Sequence, residues 1–171
     1  MIQDPITLYK LIILYMLSRV KMPLTAAQLS EFLLEKNYTT FLTYNNAMDE
    51  LKKANLITTA KAGNRTLVTV TDEGRETLDF FKDLISDATI LEIDSFLKDN
   101  EIQIRDDISV IGEYYKNTAS NYEAHLTVKG TNENVVEIKL SVPTKELAAS
   151  ICDKWQERHD AVYQKLIEEL F

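Results

Sequence analysis

Apolar residues recur at helical spacing from the start of the chain: Ile6, Leu8, Leu11, Ile12, Tyr15 and Met16. Pro5 suits the first turn of that helix, where its missing N–H costs nothing, and Pro23 lies beyond its end. Thr25 with Gln28 three residues on has the pattern of a capping box, which predicts a second helix with Leu29, Phe32 and Leu33 inward and a stop near Asn37. Phe41, Tyr44, Met48 and Leu51 predict a third helix from about Thr40 to Lys53, with Thr43, Asn45, Asn46 and Asp49 pointing elsewhere. Leu56 to Lys61 and Arg65 to Val70 read as two arms of a hairpin, turned at Gly63-Asn64. Thr71 and Ser86 are N-cap candidates for two more helices, the second ending at Asn100.

The second half changes period. Ile108, Val110, Gly112 and Tyr114 alternate with polar neighbours, as do Tyr122 to Val128 and Val136 to Val142. Three such runs predict an antiparallel meander with one wet face. Pro143-Thr144 opens a final helix whose stripe is Ala148, Ile151, Cys152, Trp155, Val162, Leu166 and Leu170. That helix can cover the apolar face of the sheet. The expected fold class is α+β, with one domain over 1–85 and an α/β tail over 86–171.

Charge sharpens this division. Residues 1–85 hold ten Lys/Arg and ten Asp/Glu, whereas 86–171 hold nine and seventeen, so the whole net charge of −8 falls in the second half. A phosphate backbone is repelled by that half and tolerated by the first. The lone Cys152 excludes an intrachain disulfide and fits a reducing cytoplasm. The apolar run Leu11 to Leu17 is far shorter than the roughly 20 residues that span a bilayer, so no membrane partner is expected.

Three helices, a hairpin and a helix within 1–85 resemble the winged helix-turn-helix plan. The stretch AMDELKKANLITTAKAGNRTLVTVTDEGRETLDFF is similar to the third helix, wing and following helix of bacterial transcription regulators, through Leu51, Leu56, Ile57 and the Val70–Gly74 restart. The whole length, with its Glu113-Tyr114-Tyr115 strand, Ser141-Val142-Pro143 run and Trp155 helix, resembles a bacterial family of unknown function that joins a winged helix to a small α/β tail. The resemblance implies a head that binds double-stranded DNA and a tail that dimerises or senses an effector.

The residues fit that use. A helix enters the major groove, and an Asn amide both donates to and accepts from adenine. Thr40, Thr43, Asn45 and Asn46 are the expected base-reading positions, Lys52 and Lys53 phosphate contacts, and Lys61 and Arg65 wing contacts. Asp49 and Glu50 oppose phosphate, and winged helices also dock on proteins, so a protein-interaction module is the competing expectation. An exposed Leu42 on a neutral face favours that competitor. A homodimer is expected, through either the first helix or the last, and a small-molecule effector is possible.

No enzyme is expected. The four glycines at 63, 74, 112 and 130 are isolated, so no phosphate-cradling loop exists. Cys152 and His159 stand seven apart and cannot chelate one ion unaided. Cys152 reads as a buried, inert thiol, His159 as a flank of the Trp155 stripe, His125 as a residue of the wet sheet face, and Asp106-Asp107 as a solvated turn. Tyr114, Tyr115, Tyr122 and Trp155 read first as tail core, and otherwise as the lining of an effector pocket or a dimer contact. No cofactor and no metal is expected.

Overall fold

The computed structural model describes residues 4–171, which form two compact units. The first takes the chain to Lys61 and again over Arg65–Ile104. The second comprises Ala62–Asn64 and Arg105–Phe171. The first unit therefore runs past the boundary near 85 that the change of pattern suggested.

In the first unit the order is α1 (Pro5–Arg19), β1 (Leu24–Thr25), α2 (Ala26–Glu35), α3 (Phe41–Lys53), β2 (Ile57–Ala62), β3 (Arg65–Val70), α4 (Asp72–Phe81), a 3-10 turn at Lys82–Leu84, and α5 (Asp87–Asp99). The capping box on α2 forms as its sequence predicts: Thr25 Oγ1 accepts from Gln28 N, and Gln28 Oε1 accepts from Thr25 N. Both α2 and α3 end on an asparagine in the left-handed region, Asn37 at φ 55° and Asn55 at φ 57°. After α3, Leu56 N donates to Leu51 O and Asn55 N to Lys52 O. After α2, Tyr38 N donates to Leu33 O and Asn37 N to Leu34 O. These are paired Schellman closures, and they satisfy carbonyls that the helix itself leaves open.

The helix α1 is the centre of this unit. Leu11, Ile12, Ile13, Leu14, Met16 and Leu17 are all buried, which requires neighbours on every side. The apolar content that made α1 a candidate for self-association is thus consumed by the unit's own core. Leu29, Phe32 and Leu33 of α2 join it, with Phe32 stacked on Tyr38 and edge-on to Phe96. Ile93 and Leu97 carry α5 into the same core. Arg19 Nε pairs with Asp94 Oδ1 at 3.0 Å, tying α5 to α1 at the surface. A short strand that the sequence hid completes a three-stranded sheet in the order β1-β3-β2, with Leu24 opposite Val68.

Helix α6 (Glu101–Ser109) spans the division between the units, and β4 (Val110–Lys116), β5 (Tyr122–Lys129), β6 (Asn134–Val142) and α7 (Lys145–Leu170) follow. Ile108 was expected in a strand and Asp106-Asp107 in a solvated turn. All three lie in α6, and Asp107 is buried. The sheet is an antiparallel meander, β4-β5-β6, as the alternation predicts. Ala148, Cys152 and Trp155 of α7 are buried, sharing a core with Val110, Ala124 and Leu126. Trp155 Nε1 donates to Thr127 O at 3.1 Å. Gly112 is the point of closest approach, since a Cβ there would lie 3.0 Å from Cα, Cβ and O of Cys152. Within this unit Gly63, at φ 62°, donates its N–H to Glu113 Oε1 at 2.9 Å.

Two expectations for the tail fail. Tyr114 and Tyr115 are exposed rather than core, the Tyr115 hydroxyl donating to the Glu123 carboxylate beside it. The stripe of α7 also outruns the sheet, because every residue from 160 to 171 is exposed.

Candidate nucleic-acid interface

The helix α3 is held by its inner face and presents its outer one. Thr40 caps it, accepting from Thr43 N at 3.3 Å. Tyr44, Ala47 and Leu51 are buried. The Tyr44 hydroxyl donates to Ala26 O at 2.8 Å, pinning α3 to the start of α2, and burial pushes its pKa well above the usual phenol value. Residues 36–40 join α2 to α3, so the two helices form a tight pair braced by that bond.

Phe41 was assigned to the inner face and does not lie there: it is 62% exposed, beside Leu42 at 71%. Phe41 opens the first turn directly after the cap, and the side chains of α3 are buried only from Tyr44 on. Ala47 takes the buried place next to the half-buried Met48.

The expected base-reading residues fall on the other side. Asn46 is exposed, Asn45 and Thr43 are half-buried, and Thr40 is exposed with its hydroxyl engaged at the cap and 3.1 Å from that of Thr43. Lys52 and Lys53 are exposed in the last turn, where cations also complement the helix dipole. Of the two opposing acids, Glu50 is engaged: its Oε2 is 2.8 Å from Lys10 Nζ of α1. That bridge pairs the carboxylate nearest the helix end, which stays half-exposed, and Asp49 is exposed beside it. On the hairpin, Lys61 Nζ donates across to Thr66 Oγ1 at 2.9 Å, and Arg65 is half-buried on the facing strand. The structure therefore collects Thr43, Asn45, Asn46, Lys52 and Lys53 on one helix, with Lys61 and Arg65 on the β-ribbon that follows it. The role of Lys10 was invisible in the sequence, since its partner lies 40 positions away.

The residues weighed for chemistry are accounted for otherwise. Burial pushes the Cys152 thiol up, with Asp153 and Glu113 adding to the effect. His159 lies edge-on to Trp155. His125 Nε2 is 2.8 Å from Glu137 Oε1, which holds that carboxyl below its usual range. Among the described residues no group of three or more His, Cys, Asp or Glu is placed to hold a metal ion. Among them, too, no helix is long and apolar enough to cross a membrane.

A family described as a domain of unknown function (DUF4364) matches residues 9–170. The chain belongs to this family. No match is found among curated proteins or among solved structures. The DUF4364 match covers both units, so head and tail recur together as one family pattern rather than as an accidental fusion.

Proposed function

We propose that this DUF4364 protein is a cytoplasmic, winged-helix DNA-binding transcription regulator, with α3 as recognition helix and the β2–β3 hairpin as wing. The observation that carries this reading is the outer face of α3. Asn46 and Lys53 are exposed on it, the half-buried Thr43 and Asn45 flank it on opposite sides, Lys52 is exposed beside Lys53, and Lys10 pairs with Glu50. Asn amides suit adenine edges, lysines suit phosphates, and a helix followed by a two-stranded ribbon is a familiar way to present both. The exposed Phe41 ring fits too, because apolar contact with a thymine methyl is part of major-groove readout.

A homodimer belongs to this proposal. The exposed stripe of α7, with Val162, Leu166 and Leu170, supports the last helix as its seam, and two heads double the weak contacts of each. Sedimentation over a range of concentrations checks this: wild type should dimerise, and Leu166→Glu should stay monomeric.

The exposure of Phe41 and Leu42 together favours a second reading, a protein-docking face. Binding to mixed genomic fragments at rising salt separates the two. DNA binding should weaken steeply with salt, each neutralised phosphate adding about 0.9 to the log–log slope. Lys53→Ala should lower that slope by about 1, and Asn46→Ala should cost about 1–3 kcal/mol on preferred sequences alone. Salt-independent or absent binding, with loss of a protein partner in Leu42→Asp, would give the second reading the site.

A further inference from the structure

Behind α3 the first unit has a half-open cavity of about 240 Å³. Leu11 and Leu14 of α1, Leu51 of α3, Leu56, and the half-exposed Phe81 and Leu84 line it, so its wall is almost wholly hydrocarbon. Thr7, Thr77 and Lys10 complete the lining. We propose that this cavity binds a compact apolar molecule bearing one carboxylate, of the class of a medium-chain alkanoate.

The size sets the body of the ligand. At about 30 Å³ per water the space equals roughly eight waters of liquid, which suits a chain of about eight to ten heavy atoms and falls below the usual range for drug-sized ligands. The lining sets its character, since a hydrocarbon wall offers little to a polar body. Two of the lining side chains keep about half their surface, Phe81 at 51% and Leu84 at 47%, so a ligand seated against them gains burial for both. Lys10 sets the head group. Its stem lines the cavity while its ammonium meets Glu50 at 2.8 Å, a pair with side-chain exposures of 27% and 50%. An exposed bridge of this kind is held weakly, so a ligand carboxylate can take the place of Glu50 on Lys10 at little cost. Binding would then touch α3 twice, through Leu51 in the wall and through the released Glu50 on its surface. The site stands independently of what α3 binds.

Methyl spectra of the full chain, titrated with octanoate and with octan-1-ol, test this. Octanoate should shift the methyls of Leu11, Leu14, Leu51, Leu56 and Leu84 and bind about tenfold more tightly than the alcohol, as expected for a charge-assisted contact. Lys10→Met should bring the two ligands to equal affinity. Thr77→Met and Thr7→Met fill the space from α4 and from α1, and either folded variant should lose both ligands. Octanoate that leaves these methyls unmoved, binding that survives a filled cavity, or a preference for octanoate that survives Lys10→Met would each overturn the proposal.

Discussion

The helices α1 and α7 look alike as apolar stripes and end in opposite situations. Over 15 residues α1 buries six of the seven side chains from Leu11 to Leu17, because α2, α3, α4 and α5 all pack on it. Over 26 residues α7 buries only Ala148, Cys152 and Trp155, because the helix runs on past the sheet it covers and is exposed from residue 160 to its end. An apolar stripe states a demand for partners. Whether the fold meets that demand depends on how many elements surround the helix and how far they reach.

Substitutions along the two stripes should diverge most at their extremes. Phe32→Ala, in the core around α1, should cost about 3–5 kcal/mol in urea unfolding, since it empties a fully buried ring site. Leu166→Ala, on the free end of α7, should stay within about 0.5 kcal/mol for a dilute, monomeric chain. A cost at Leu166 that grows with protein concentration would show the stripe covered by a second copy. At the covered end of α7, Gly112→Ala should cost about 1–3 kcal/mol by overpacking against Cys152. The single Trp155 lies beside that contact, so its emission should report this loss while Phe32→Ala leaves it largely unchanged.

Smaller effects probe the chemistry of the second unit. Iodoacetamide at pH 8 should modify Cys152 about tenfold more slowly in the folded chain than in urea, because burial favours the neutral thiol. The smallest effect concerns acid. The Glu137 carboxyl is depressed by its bond to His125, so its contribution is present above the unfolded carboxylate value of about 4.3 and lost as pH falls through the folded one. Glu137→Gln should remove that part of the acid limb, lowering stability slightly at neutral pH and leaving it nearly unchanged below the folded carboxyl value.

Local signals carried most of the fold. Thr25, Thr40, Thr71, Ser86 and Thr144 each cap the helix that its position predicts, since a cap is written within three or four residues. Asn37 and Asn55 stop their helices for an equally local reason. Failures came where the answer lay at a distance. The two-residue β1 has no pattern of its own and exists through pairing with β3. Helix α6 was not foreseen, and its Ile108 was read as strand because Ile108 and Val110 continue an alternation that the backbone begins only at Val110. At the site, Asn46 and the lysines were legible from the amphipathic period, whereas the exposure of Phe41 and the Lys10–Glu50 bridge depend on which helix packs where.

Selection of bound sequences from a random duplex pool by the purified full chain tests the central claim most directly. The account predicts a short enriched motif, preserved in sequence but weakened by Lys53→Ala and relaxed at one adenine by Asn46→Ala. A pool that emerges without a motif, or a motif indifferent to Asn46, would contradict it.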